Sequence, residues 1–174
     1  MRAGRHYVMF TVESLAGSDN AFKLLVGATK PNWTAFQPWQ TEDAEPRFLL
    51  WFAVGDGSPQ AARRGGGVGI SWVGMQSAEE GDRIGMLIDL TVGTLTVYKN
   101  DELLGVMATG LTNGEYVLCE WAISMHHDGD SVRVDSAPMP REPVLTAEEL
   151  QAVAAANTEA AAPDLAEAEA GDDY

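Results

Sequence analysis

The chain has 174 residues, enough for one ordinary domain and too few for two. Its apolar fraction of 45% permits a buried core, whereas its formal charge of −15 argues against nucleic-acid binding, which needs clustered Lys and Arg to neutralise phosphates. Cys119 is the single cysteine, which excludes an intramolecular disulfide, and no apolar run is as long as a membrane span.

Strands are predicted at three places in the first third of the chain. The first covers 4–13, where residues at alternate positions are apolar on one face and mixed on the other. The next covers 22–28, and the continuous apolar run over 48–54 is typical of a strand packed on both faces. In the first strand the two faces are Tyr7, Met9 and Thr11 on one side and Val8, Phe10 and Val12 on the other.

The connections between these strands carry aromatic and basic side chains. The segment 31–46 contains three prolines, which exclude one long helix or strand. Residues 55–59 form a predicted turn, and 63–69 form a predicted flexible loop that is locally basic and rich in glycine. A short strand over 70–74 is then predicted before a polar segment.

Three antiparallel strands with two tight turns are predicted over 81–106. Ile or Met at positions 84, 86 and 88 alternates with smaller or polar residues, which is the pattern of a half-buried strand. Gly93 is free to take a positive φ in the first turn, and Asn100 and Asp101 tolerate the left-handed region in the second. A single meander is not stable alone, so the rest of the chain should supply a second layer.

The last third of the chain predicts two more strands, followed by a proline-containing spacer, a short helix and an acidic tail. The strands cover 115–125 and 131–134, and a spacer with prolines follows over 138–146. The sequence from Thr146 to Glu149 is a capping box, which predicts a helix over 147–156. The rest of the tail is rich in Ala, Glu and Asp and predicts disorder. We therefore divide the chain into a β domain over 1–137, the spacer over 138–146, and a helix with an acidic tail over 147–174.

The meander resembles the core signature of the SPRY domain family. The matching residues are Gly81-Asp82, Ile84-Gly85, Asp89-Leu90, the hairpin from Gly93 to Asn100, and Leu104-Gly105-Val106. Asp101 stands where the family prefers Gly, and Val106-Met107 stands where it prefers Ala-Phe. The first predicted strand is similar to an early SPRY segment that one or two strands normally precede, whereas only three residues precede Gly4 here, so we expect an uncovered sheet edge. This start slightly favours a piece of a larger protein over a chain that stands alone, and both alternatives stay open. The resemblance implies an all-β, two-sheet antiparallel β-sandwich of the concanavalin-like type, followed by the short helix and the acidic tail.

The resemblance also implies a non-catalytic module that binds a partner protein or peptide through loops at one end of the sandwich. The corresponding loops here are 29–47, 55–69 and 75–80. Exposed Trp and Arg often dominate binding energy, although partly buried aromatics and a solvated loop around the two arginines are open alternatives. The candidate partner-binding residues are Trp33, Phe36, Trp39, Asp56, Arg63 and Arg64.

A lectin-like, carbohydrate-binding module is the competing interpretation, because the same sandwich architecture serves lectins. Trp39 with Glu42 and Asp43 would form its sugar platform. Enzyme activity is not expected, because the glucanase-type Glu-x-Asp-x-x-Glu pattern that starts at Glu80 has Gly85 in the position of the acid catalyst.

Metal binding at the adjacent pair His126-His127 is disfavoured as well, because neighbouring residues of a strand point to opposite faces. We expect no cofactor and no metal. The N-terminus lacks the apolar core of a signal peptide. An intracellular protein is therefore expected, in the cytoplasm or the nucleus, without nucleic acid or membrane as a partner. It would be a monomer or part of a larger assembly.

Overall fold

The computed structural model describes residues 3–16, 24–29, 48–52, 62–63, 69–70, 72–76, 78–111, 120–125, 128–141, 146–156 and 158. Within these residues the chain forms ten β-strands and one helix, α1, over 147–156. The strands are β1 Arg5–Ser14, β2 Leu24–Thr29, β3 Phe48–Phe52, β4 Ala62–Arg63, β5 Gly69–Ile70, β6 Arg83–Asp89, β7 Thr94–Lys99, β8 Glu102–Ala108, β9 Glu120–Met125 and β10 Ser131–Asp135.

The strands form two five-stranded antiparallel sheets. The first sheet has the order β10-β1-β6-β7-β8, and the second has the order β5-β4-β3-β2-β9. Both sheets contribute to one apolar core, where Phe10 of β1 meets Trp121 of β9 edge to face with ring centroids 6.3 Å apart. The predicted all-β, two-sheet sandwich is therefore confirmed.

Strand register decides which side chains enter the core. Phe10 lies opposite Ile84, and Met86 lies opposite Val97, so inward residues align across β1, β6 and β7. These four side chains are at most 1% exposed. Full burial of such a side chain contributes about 1.5–3 kcal/mol, so this aligned row is a main source of stability.

The meander strands β6 and β7 are buried on both faces, whereas the sequence pattern predicted half-buried strands. Leu87, which points away from the core, is 1% exposed, and Thr96 and Tyr98 on the same outer face are 5% exposed. The alternation of residues reports how apolar each face is and not whether other parts of the chain cover it. The outer face of the first sheet is therefore a second packed surface.

The two predicted turns of the meander are confirmed. Asp89 Oδ1 accepts hydrogen bonds from the backbone N–H groups of Thr91 and Val92 at 2.8 and 3.3 Å. Gly93 has φ of 76° and closes this turn. In the second turn, Asn100 and Asp101 have φ of 52° and 70°, as the left-handed region requires.

Other element boundaries differ from the predicted ones. The strand predicted over 70–74 ends at Ile70, and residues 72–75 form a turn in which Met75 N donates to Trp72 O at 3.2 Å. The indole of Trp72 is 3% exposed, so this turn fills the core as a strand would. Arg63 and Gly69, predicted in a loop, lie in β4 and β5 because pairing with a neighbouring strand satisfies their backbone groups.

The predicted helix α1 and its capping box are confirmed. Glu149 Oε2 accepts a hydrogen bond from Thr146 N at 2.7 Å, and Glu149 N donates to Thr146 Oγ1 at 3.2 Å. These two bonds, the backbone one first, lower the pKa of Glu149. In the part of the chain that the structure describes, no helix has the length and apolar character needed to cross a membrane.

Candidate functional site

Five of the six partner-binding candidates lie outside the described residues: Trp33, Phe36, Trp39, Asp56 and Arg64. The sixth, Arg63, ends strand β4 in the second sheet, with Leu49 and Gly69 as its pairing partners. The proposed loop surface therefore stays a prediction for these residues.

The third candidate loop, 75–80, is tied to the first sheet. Ala78 is 1% exposed and belongs to the core. Glu80 Oε1 accepts a hydrogen bond from Leu15 N at 2.7 Å, and Glu79 N donates to Asp82 Oδ2 at 2.8 Å. The Glu80 carboxylate and the Glu79 N–H group therefore join residues 78–80 to the segments on either side of them.

A concave site that the sequence did not predict lies on the outer face of the first sheet. Its volume is about 530 Å³, and we call it the outer pocket. It is lined by side chains of β1, β6, β7 and β10, by Asp101 of the β7–β8 turn, and by the segment 136–140 that follows β10. A volume of this size falls within the range of about 300–1,000 Å³ that is usual for ligand sites.

The floor of the outer pocket is set by strand register. Met9 lies opposite Asp135 of β10 on one side and Gly85 of β6 on the other, and Gly85 in turn lies opposite Tyr98. A Cβ on Gly85 would be 2.1 Å from the hydroxyl oxygen of Tyr7. The ring of Tyr7 therefore occupies the space that a side chain at position 85 would need.

Two tyrosines form the aromatic part of this floor. The rings of Tyr7 and Tyr98 meet edge to face, with centroids 5.9 Å apart and planes at 90°. Tyr98 is 5% exposed, and its hydroxyl is buried without a hydrogen-bond partner among the described residues. A buried hydroxyl left unpaired costs about 1–3 kcal/mol of stability.

Paired charges lie around this floor. Arg83 forms an ion pair with Asp101, and Arg133 Nε lies 2.8 Å from Asp135 Oδ2 and its NH1 nitrogen 3.4 Å from Glu13 Oε1. The hydrogen bond and the charge of Asp135 raise the pKa of Arg133, so the guanidinium stays charged. Such exposed pairs contribute little to stability, and their arginines keep further N–H donors for a ligand.

One wall of the outer pocket comes from the chain just after β10. Pro138, Met139 and Pro140 line the pocket together with Tyr7 and Tyr98. Met139 is 43% exposed, which is high for a large apolar side chain. The wall is therefore an apolar segment with two prolines, laid beside an aromatic floor.

The described residues do not assemble a metal centre, because no group of three or more His, Cys, Asp or Glu side chains lies close enough among them. The pair His126-His127 lies outside the described residues. Both carboxylates of the glucanase-type pattern bind other parts of the chain. Glu80 accepts a hydrogen bond from Leu15 N, and Asp82 accepts one from Asn100 and forms an ion pair with Lys99. Both therefore have structural partners.

The sequence contained one signal for the outer pocket. The alternation in β1 placed Tyr7, Met9 and Thr11 on one face, and an exposed sheet face seldom carries both an aromatic and a methionine without a partner. The pairing of that face with β10 and with the segment 136–140 comes from residues more than a hundred positions away. That distance is why a local pattern could not show the site.

Comparison with known proteins shows which solved structures the fold resembles. No protein family matches the chain by its sequence profile, and no curated protein matches it in sequence. Among solved structures, the chain is similar to the SPRY domain of human HERC1, with a TM-score of 0.56 and 13% identity. The similarity covers 80% of this chain and 79% of that one. At this level of identity the likeness concerns the fold alone: the chain has a SPRY-like fold.

Proposed function

We propose that the chain is a non-catalytic protein-interaction module that holds a peptide or loop of a partner protein against its sandwich. The observation that carries this proposal is the structural likeness to a SPRY domain. The SPRY-like residues of the meander, from Gly81 to Val106, support it independently. Sandwiches of this kind provide a rigid frame on which exposed loops can vary without loss of the fold.

The sandwich-end loops 29–47, 55–69 and 75–80 are the proposed contact surface. Trp39, Arg63 and Arg64 are the first residues to test there, since Trp and Arg are enriched among residues that dominate binding energy. Within the third loop, Glu79 and Glu80 already form hydrogen bonds within the chain, so the first two loops are the better places for test substitutions.

Peptide display on the full chain tests the proposal, with a glycan array run on the same preparation. We expect the display to recover a peptide or protein segment and the array to give no signal. A glycan signal without any peptide would replace the proposal with the lectin-like interpretation.

Two variants, Trp39→Ala and Arg63→Ala, test the surface. Each should weaken the binding of a recovered partner by at least about thirtyfold, which corresponds to the threshold of about 2 kcal/mol for a hot-spot residue. The control is Val92→Ala, a change of an exposed residue in the meander turn. If both variants bind as the parent does while circular dichroism shows them folded, the sandwich-end loops are not the contact surface.

A further inference from the structure

We propose that strand β10 pairs, antiparallel and edge to edge, with β10 of a second copy of this chain, about a two-fold axis at Val134. The pairing places Arg133 of each copy opposite Asp135 of the other. This self-association goes beyond the proposed function, because it uses the edge of the first sheet and not the sandwich-end loops.

The backbone of β1 shows which groups of β10 are already bonded. Val12 N donates to Asp82 O at 2.9 Å, and Val12 O accepts from Gly81 N at 2.8 Å, so the backbone groups of Val12 point away from β10. Backbone groups alternate between the two sides of a strand, so those of Thr11 point towards β10. They bond to the residue opposite, which is Arg133.

The other side of β10 is an open edge. It is the last strand of the first sheet, and the alternation turns the N–H and C=O groups of Val132 and Val134 outward, where nothing among the described residues bonds them. Val134 lies opposite Phe10 and so shares its face, yet it is 50% exposed whereas Phe10 is fully buried. Unpaired backbone groups beside an exposed apolar side chain form a template for a further strand.

Charge decides the register in which a second copy fits this edge. Antiparallel pairing joins outward-facing residues, so Val134 can lie opposite Val132, Val134 or Ser136 of the second copy. The first register places Arg133 opposite itself, and the third places Asp135 opposite itself, which is destabilising. With Val134 opposite itself, Arg133 lies opposite Asp135 at both symmetric positions. The edge is therefore complementary to itself, as a two-fold interface requires.

The opposed side chains are accessible and close enough to pair. Arg133 and Asp135 side chains are 56% and 43% exposed. Both residues bond to β1, so across the open edge they form a non-hydrogen-bonded pair, in which Cα atoms are only about 4.5 Å apart. Within one copy, Arg133 uses Nε for Asp135 and NH1 for Glu13. Its NH2 nitrogen keeps N–H donors for the carboxylate of the second copy.

The dimer should be weak. Strand β10 has five residues, so its contact with a copy is smaller than a standard interface of about 1,600 Å². Each copy carries a formal charge of −15, and the resulting repulsion is screened beyond about 8 Å at physiological ionic strength. We expect a dissociation constant of about 10 µM to 1 mM.

Sedimentation velocity of the full chain at physiological salt, over that concentration range, measures the equilibrium between monomer and dimer. Amide hydrogen exchange at the two ends of the range locates the contact. We expect the exchange of the Val132 and Val134 amides to slow as the concentration rises. The amides of Arg133 and Asp135 bond to β1 in both states, so their exchange should change little.

Charge reversal separates this pairing from general self-association. Arg133→Asp opposes two acidic groups at both symmetric positions, and Asp135→Arg opposes two basic ones, so each variant alone should dimerise at least about tenfold more weakly than the parent. An equimolar mixture of the two variants should form a mixed dimer at least as tightly as the parent dimerises, because every acidic group then meets a basic one. The matched control is Glu102→Arg, an equal change of charge at an exposed position of β8, the other edge of the first sheet. It should dimerise as the parent does.

The proposal is overturned if the parent is monomeric at about 1 mM, which would make a strand of a different protein the occupant to test. It is also overturned if Arg133→Asp and Asp135→Arg dimerise as the parent does, or if their mixture forms no mixed dimer while circular dichroism shows both folded. An equal loss of dimer in Glu102→Arg would show that net charge, and not the β10 edge, controls the association.

Discussion

Asn100 Nδ2 donates a hydrogen bond to Asp82 Oδ1 at 2.8 Å and so ties the β7–β8 turn to the start of β6. The same side chain accepts a hydrogen bond from Arg83 N at 2.9 Å through its Oδ1 atom. Its backbone has φ of 52°, a conformation that Asn tolerates better than most residues. One residue thus fixes both the turn geometry and the alignment of two meander strands.

Replacing this residue should destabilise the sandwich. Asn100→Ala removes both side-chain hydrogen bonds and puts Ala at positive φ, so we expect a loss of about 2–3 kcal/mol in the free energy of unfolding. Asn100→Gly keeps the favourable φ and loses only the hydrogen bonds, so it should cost about 1–2 kcal/mol. Urea unfolding measures both values. Equal losses would mean that the positive φ contributes nothing.

Asp82 gives the stability a defined pH dependence. Burial alone would raise its pKa, but hydrogen bonds from Asn100 and the Glu79 N–H, together with Lys99, outweigh burial and lower the pKa below its ordinary value of 3.8. Because the pKa of Asp82 is lower in the folded chain, its ionised carboxylate contributes its full stabilisation at pH values above the pKa of the unfolded chain. It is lost as the pH falls below 3.8 through the folded-state pKa.

The variant Asp82→Asn isolates this contribution. It lacks the charge that holds Lys99 Nζ at 3.0 Å, so it should be less stable than the parent by about 2 kcal/mol near neutral pH. The gap should shrink as the pH falls through the window below 3.8. Unfolding curves across that range check this, and a gap that stays constant with pH would contradict the role of the Asp82 charge.

Gly85 should tolerate no side chain while Tyr7 is present. A Cβ at this position would lie 2.1 Å from the Tyr7 hydroxyl oxygen and 2.9 Å from its Cζ, so the ring must move. We expect Gly85→Ala to cost about 1–3 kcal/mol through overpacking. The same change in a Tyr7→Ala background should cost far less. Additive losses in this double-mutant cycle would show that the two residues do not compete for space.

Tyr98→Phe should leave the free chain at least as stable as the parent. The hydroxyl is buried without a partner among the described residues, so removing it relieves a cost, and we expect a gain of up to about 1 kcal/mol. Thermal unfolding of the two proteins side by side measures the difference. A loss of stability would mean that the hydroxyl is already satisfied in the free chain.

The local sequence patterns were sufficient to predict the positions of most of the strands. Alternation in β1 and the turn residues Gly93 and Asn100 identified elements whose conformation depends on neighbours in sequence. The strand predicted through Trp72 was wrong because a large buried residue satisfies the same apolar pattern in a turn as in a strand. What decides between them is the surrounding packing.

The outer pocket could not be predicted from local patterns, because its parts are joined only by sheet pairing. Strand β1 lies between β6 and β10, so Met9 meets Gly85 on one side and Asp135 on the other. The candidate residues chosen by resemblance came instead from segments that the sequence predicts to be loops, where Trp and Arg are conspicuous. Those candidates were selected by residue type, whereas the outer pocket is formed by the pairing of strands that are distant in sequence.

The central proposal is that the chain is a protein-interaction module whose sandwich-end loops hold a peptide or loop of a partner. The affinity of a partner recovered by peptide display, measured for the parent chain and for Trp39→Ala, Arg63→Ala and Val92→Ala, tests it most directly. We predict that Trp39→Ala and Arg63→Ala weaken binding by about thirtyfold or more, whereas Val92→Ala binds as the parent does. Equal affinities for all four folded proteins would contradict the proposal.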